Sequence, residues 1–198
     1  MAVLEVEMSL YEAILARRSV RSYTTQKLDK ETIPSLLEAA IRAPTAMHGE
    51  PWGFVIIQDK KVLKDLSDQA KPMLLTSTCP HQQQISIKFF EQLGNQDFNI
   101  FYNAGTLILI CSNTKLTHSE ADCWLAAENL ILAACAMGLG TCIIGCAAPI
   151  LNLAETKTKL GIASEFNVVA PIIVGYPNNM PARTSRKHPN ILANIQVN

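Results

Sequence analysis

Two short clusters of basic residues stand out in a chain whose charge otherwise cancels. Arg17, Arg18 and Arg21 lie within five residues, with Ser19 among them, and Arg183, Arg186 and Lys187 lie within another five. Neither cluster contains an acidic residue. Guanidinium groups offer planar, paired donors that match phosphate oxygens, and a serine hydroxyl adds one more. The pattern has two readings: two solvated basic turns, or one site where both clusters meet a single anion. One phosphate-bearing cofactor would account for the second. The whole chain carries 17 Lys+Arg and 17 Asp+Glu in 198 residues. That balance argues against a nucleic-acid binder, whose non-specific affinity comes from surplus positive charge over many phosphates.

Other constellations are weaker. The six cysteines are Cys79, Cys111, Cys123, Cys135, Cys142 and Cys146. Cys142-x3-Cys146 lacks the C-x2-C spacing of zinc or iron–sulfur sites, so no metal is expected. Cys79-Pro80-His81 sets a thiol near an imidazole without a third group to orient the pair. Gly138-x-Gly140 is followed by Ile143 where a dinucleotide fingerprint needs glycine, and it follows a helix instead of a strand. There is no P-loop and no G-x-S-x-G elbow. With no acid–base constellation, the chemistry is expected to belong to a cofactor, and no catalytic side chain is nominated. Several cysteines sit in apolar segments, where thiols act as small hydrophobes. The N-terminus places Glu5 and Glu7 before any basic residue, unlike a secretory leader. A cytoplasmic protein with reduced thiols is the expectation.

These residues need elements to hold them. With 48% hydrophobic and 17% charged residues, the chain is not disordered and reads as a single domain over residues 1–198. Ser9-Leu-Tyr-Glu12 is a capping box opening a helix to Ala16. Asp29 is expected to cap a helix with Ile33, Leu36, Leu37, Ala40 and Ile41 on one face. Residues 52–58 read as a buried strand, and Asp59 as the cap of a short helix over 60–70. A helix is expected over 82–93, buried strands over 106–111 and 167–175, and a short helix over 151–159. Thr117-x-x-Glu120 reads as the cap of a long helix ending near Met137. Residues 129–154 hold no charge and are long enough to span a bilayer. Gly138, Gly140, Gly145 and Pro149 interrupt them, and no Lys/Arg cluster would orient a span. A buried helix followed by a buried glycine-rich loop is favoured over a membrane segment. The irregular interleaving fits an α+β fold, with a central mixed or antiparallel β-sheet flanked by helices.

Four segments resemble the nitroreductase family of flavin enzymes. Arg17-Arg18-Ser19-Val20-Arg21-Ser22-Tyr23 is similar to the family's opening R-R-S-x-R-x-[FY]. Ala43-Pro44-Thr45-Ala46-Met47-His48-Gly49-Glu50-Pro51-Trp52 is similar to A-P-S-x-x-N-x-Q-P-W. Glu128-Asn129-Leu130, continuing to Gly138-Leu139-Gly140-Thr141-Cys142-Ile143-Ile144-Gly145, follows Q-N-x-x-L-A-A-x-x-x-G-L-G-T-x-x-x-G. Val174-Gly175-Tyr176-Pro177 precedes the basic tail. The resemblance implies an FMN-binding homodimer with two flavins at the subunit interface. It implies that Arg17, Arg18, Ser19 and Arg21 hold the cofactor with Arg186 and Lys187. The loop residues Cys142, Ile143, Ile144 and Gly145 would lie beside the ring, with His48 nearby. Pro44, Thr45 and Ala46 would touch the partner subunit's flavin. It further implies that NADH or NADPH delivers hydride to flavin N5. A nitroaromatic, quinone or similar acceptor would then be reduced in the same pocket by a ping-pong mechanism.

His48 and Glu50 replace the family's Asn and Gln. Asn both donates and accepts, which His48 does only when neutral, and Glu50 brings a carboxylate near an anionic cofactor. These departures bear on substrate and donor preference. They leave room for a non-catalytic flavin-binding or storage protein, and for a flavin-fragmenting or dehalogenating member of the same superfamily. Residues 70–100 are expected to cover the pocket, with Phe89, Phe90, Phe101 and Tyr102 as candidate substrate contacts or as ordinary core aromatics.

Overall fold

Two apolar runs, Thr106–Asn113 (β2) and Phe166–Gly175 (β4), pair antiparallel at the centre of a four-stranded sheet. The computed structural model describes residues 8–76 and 87–195. Trp52–Ile57 (β1) flanks β2, and Gly140–Ile143 (β3) flanks β4, giving the order β1-β2-β4-β3 with every pair antiparallel. Period-2 alternation divides β2 between the two faces: Leu107, Leu109 and Cys111 point to one, Ile108 and Ile110 to the other. In β4 the alternation breaks, because Val168 and Ala170 serve opposite faces. The register shift between Ile110 and Cys111, which skips Val169, accounts for this: one extra residue flips every later side chain.

Helices cover both faces. Lys60–Thr76 (α3), Ile87–Leu93 (α4) and Ala148–Leu151 (α6) pack with Leu63, Leu66, Phe101 and Leu151 on one side. Thr32–Ile41 (α2) and Ser119–Ala136 (α5) pack with Leu36, Ala40, Ala126 and Leu130 on the other. Leu10–Ala16 (α1) lies against α5, and Ala154–Lys159 (α7) follows α6. The α+β expectation holds, and no helix of the described residues is long and apolar enough to cross a membrane.

Several local expectations change. The Ser9–Glu12 capping box forms as read. Asp59 caps α3 through the Lys61 and Val62 amides, but α3 runs to Thr76, because Met73 and Leu74 extend its apolar face. Asp29 does not cap α2; its carboxylate accepts from the Tyr176 hydroxyl at 3.2 Å. The Thr117 box does not form either, since His118 takes the N-cap position with φ 61, and α5 starts at Ser119. The strand over 52–58 is an edge strand in which Ile57 alone is buried. The helix over 151–159 is two, broken at Asn152 and Leu153. Of the helix over 82–93, α4 is the described part; residues 82–86, Cys79 and His81 lie outside the described residues.

The glycine-rich loop expected after α5 is partly a strand. Gly138 terminates α5 with φ 73, a left-handed cap in which Leu139 N–H reaches the Ala134 carbonyl at 2.8 Å. The chain then extends at once into β3, whose Gly140 pairs with Gly175. The uncharged stretch is therefore a helix end, an edge strand, a short turn and the short helix α6.

Candidate functional site

The 17–23 segment leaves α1 and runs along the outer side of β3. Ser19 bridges Thr141 in parallel, and Val20 N–H donates to the Thr141 carbonyl at 2.9 Å. Val20 is fully buried against Gly140, and the Tyr23 ring lies over Gly175. The Tyr23 hydroxyl donates back to the Val20 carbonyl at 2.7 Å. Burial raises the Tyr23 hydroxyl's pKa, so it stays a donor. Val20 and Tyr23 are thus the anchors, and Ser19, Arg21 and Ser22 are left exposed on the same short segment.

The three arginines take different roles. Arg18 turns back on α1, donating from Nη1 to the Leu15 carbonyl at 2.9 Å and the Arg17 carbonyl at 2.5 Å. That end of a helix carries partial negative charge, which suits a cation. The Arg18 Nε is buried with no hydrogen-bond partner. Arg17 lies close enough to Cys135 and Cys142 to favour their thiolate forms, although burial wins and both thiols titrate above the ordinary value. Arg21 sits over the Tyr102 ring with its guanidinium carbon 5.9 Å from the centroid. Ser19 and Arg21 also lie near enough to the Cys142 thiol to favour its thiolate, against the stronger effect of burial. Arg17, Ser19, Arg21, Cys142 and Tyr102 therefore share one neighbourhood.

Around them, Cys142 and Ile144 point into the core while Ile143 and Gly145 are exposed, so the turn after β3 alternates anchor and surface. Cys146 lines an apolar cavity of about 100 Å³ with Ala70, Met73 and Ile150. Burial pushes its thiol up to about 11. Phe89 and Tyr102 are partly buried near this side, whereas Phe101 is fully buried in the core. That burial leaves Phe101 no surface for a ligand and makes it a core aromatic.

The 43–50 segment forms a tight turn elsewhere on the surface. Pro44, His48 and Glu50 are exposed, Thr45 and Ala46 half-buried. Met47, His48 and Glu50 all have positive φ, and Met47 is 96% exposed. The turn is held by Asp122 in the first turn of α5, whose carboxylate accepts the Ala46 N–H at 3.1 and 3.2 Å. Nothing local in the sequence marks this tether, because its partners are 76 residues apart. Asn129 ties α5 to α2 through the Ala39 carbonyl at 3.2 Å. Within a single chain no hydrogen bond among the described residues joins the 43–50 turn to the 17–21 segment.

The second basic cluster is only partly brought in. The tail starts beside the first cluster, where Asn178 N–H donates to the Ser22 carbonyl at 3.0 Å and its side chain reaches the Tyr23 carbonyl at 2.8 Å. Beyond that, Arg183, Arg186 and Lys187 lie in an exposed coil. Arg186 bonds only within it, to Thr184 Oγ1 at 2.6 Å and the Ser185 carbonyl at 3.5 Å. Among the described residues no group of His, Cys, Asp and Glu is placed to hold a metal ion, and the described cysteines are free thiols.

The same arrangement of elements recurs in known proteins. A nitroreductase from Bacteroides fragilis, solved with bound FMN, superposes with a TM-score of 0.80 at 26% identity, covering 94% of this chain and 98% of its own. A protein of Archaeoglobus fulgidus, provisionally named NADH dehydrogenase/NAD(P)H nitroreductase, is 28% identical over 171 residues, 84% of each chain. An iodotyrosine deiodinase of Thermotoga neapolitana is 26% identical over 174 residues, 86% of this chain and 89% of its own. The family model for nitroreductases matches residues 14–176, from the end of α1 through the close of β4. With a basic segment laid on the edge strand of this sheet and the family pattern running through nearly all of it, the chain belongs to the nitroreductase family.

Proposed function

We propose that this protein is an FMN-dependent oxidoreductase that takes hydride from NADH or NADPH and passes it to a nitroaromatic, a quinone or a similar small acceptor. The observation that carries this is the acid-free 17–21 segment. Ser19 and Arg21 are exposed and Arg17 is half-buried on a segment bridged to the edge strand β3, and the segment holds the buried, unpartnered Arg18 Nε. A single terminal phosphate suits so small a donor set, and no dinucleotide loop is needed. Arg17 and Ser19 would hold the phosphate, with Arg186 and Lys187 closing over it from the tail. Arg21 would lie at the ring edge, and Cys142, Ile143, Ile144 and Gly145 would floor the site through their backbone. Bound FMN supplies the two-electron chemistry that no side chain here provides. A cation near the ring favours its reduced anionic form, which is the task assigned to Arg21.

The 43–50 turn lies apart from this segment within one chain, which supports a second copy as the source of Pro44, Thr45, Ala46 and His48. The surface of α1 points the same way. Leu10 is 68% and Tyr11 70% exposed, Ile14 and Leu15 are exposed as well, and α5 beside it exposes Trp124 and Leu125. An apolar surface of this kind on a globular chain calls for a partner.

The test is purification with FMN. The expected protein is yellow, releases FMN rather than FAD on denaturation, and consumes NADH or NADPH only with an acceptor. Colourless protein that takes up no added FMN refutes the proposal. FMN binding with no NAD(P)H consumption across the acceptor panel would assign flavin storage instead. The similarity to the Thermotoga neapolitana deiodinase supports reductive dehalogenation as the second reading. Turnover of a halotyrosine, with none of nitroaromatics or quinones, would select it.

A further inference from the structure

A continuous run of contacts links α4 to the 17–21 segment. Phe89 on α4 meets Phe98 edge to face, with ring centroids 6.1 Å apart and planes at 87°. Phe98 meets Tyr102 the same way, at 5.7 Å and 80°. Tyr102 then lies under the Arg21 guanidinium at 5.9 Å. Edge-to-face pairs are the favoured aromatic geometry, and a cation this close to a ring face is drawn to it.

Tyr102 occupies an unfavourable backbone state to be there. Its φ is 52, and that of Asn103 is 54. A bulky aromatic in the left-handed region persists only where its surroundings over-determine it. The surroundings do so: the Asn99 carbonyl accepts the Tyr102 N–H at 2.8 Å, and Asn99 Oδ1 accepts the Phe101 N–H at 2.8 Å. Asn99 and Phe101 are themselves buried. Arg21, by contrast, is exposed and free to sample many rotamers unless something holds it.

We propose that Tyr102 is a positioning residue whose ring holds the Arg21 guanidinium toward the cofactor, with Phe98 and Phe89 fixing the ring from the α4 side. The inference rests on the FMN reading above. Removing the ring leaves the Arg21 charge in place but lets it wander.

The test uses Tyr102→Asn, Tyr102→Phe, Arg21→Ala and the Arg21→Ala/Tyr102→Asn double variant. Asn tolerates the left-handed backbone, so Tyr102→Asn removes the ring without adding strain. The readouts are the FMN dissociation constant from flavin fluorescence quenching, the midpoint potential of the bound flavin, and the thermal midpoint. Tyr102→Asn is expected to weaken FMN binding roughly 2- to 30-fold, the range of a cation–π contact, and to make the potential more negative. Tyr102→Phe is expected to stay within about 2-fold of the parent, because the ring remains. The double variant is expected to bind no worse than Arg21→Ala, since the tyrosine acts through the arginine. If Tyr102→Asn does not fold, Phe98→Leu removes the ring's support and is expected to shift affinity and potential in the same direction. A folded Tyr102→Asn or Phe98→Leu variant with parental affinity and potential overturns the inference, as do additive losses in the double variant. Failure of the parent protein itself to bind FMN would instead overturn the functional reading.

Discussion

Gly140 in β3 is the position where one added methyl group should be felt at the cofactor segment. A Cβ there would stand 2.8 Å from Val20 Cβ, Cγ1 and Cγ2 at once. Val20 cannot step aside cheaply. It is fully buried, its N–H is held by Thr141, and its carbonyl is held by the Tyr23 hydroxyl. Its β-branched side chain also has few rotamers to try. Overpacking of this kind costs about 1–3 kcal/mol. At about 2–4 °C per kcal/mol for a chain of this size, Gly140→Ala should lower the thermal midpoint by roughly 2–12 °C. Relief must come from the 17–23 segment moving off the sheet edge, so Ser19 and Arg21 move with it and FMN affinity falls as well. Scanning calorimetry and flavin fluorescence quenching measure the two effects. Val20→Gly removes all three clashing carbons. The double variant Gly140→Ala/Val20→Gly should therefore be more stable than the two single losses summed predict. A Gly140→Ala protein with unchanged midpoint and unchanged FMN affinity would refute the docking argument.

Three other outcomes are expected. Asp122→Ala should destabilise the protein by about 1.5–3 kcal/mol, read by urea unfolding, because it removes the charged acceptor of the Ala46 N–H. Arg17→Ala and Arg186→Ala should each weaken FMN binding by about 1.5–3 kcal/mol, roughly 10- to 150-fold, through loss of a charge-assisted bond to phosphate. Unchanged affinity in both would sink the shared-anion argument. Burial raises the thiols of Cys111 and Cys146 to about 11 and Cys123 to about 12 from an ordinary 9. Unfolding then releases protons more readily than the native state does, so this contribution is complete below pH 9 and is lost as pH rises through 11–12. Urea midpoints measured from pH 8 to 11 should fall more steeply for the parent than for a Cys111→Ala/Cys123→Ala variant; equal slopes would count against it.

Much of the fold was legible because its signals are local. The Ser9–Glu12 capping box, the Asp59 cap and the apolar runs of β2 and β4 all lie within a few residues of what they specify. Misreadings fall where a distant partner decides. Asp29 looks like a helix cap, but Tyr176, 147 residues away, claims its carboxylate. Gly138 and Gly140 look like a loop, yet Gly175 offers β3 a ladder to join. The β1 run looks fully buried, but its place at the sheet edge leaves most of it half-exposed.

The amino-acid sequence alone determined the acid-free basic clusters, the family pattern and the expectation that chemistry here belongs to a cofactor. These are properties of residue type and spacing. Tertiary structure alone decided how the three arginines divide their work. Arg18 caps α1 because helix-end carbonyls lie within its reach, and Arg21 meets Tyr102 because a strained turn 81 residues away brings a ring beneath it. It also set the 43–50 turn apart from the 17–21 segment within one chain, held to α5 by Asp122. Such placements depend on which surfaces pack together, and packing between distant segments leaves no mark in the spacing of either one.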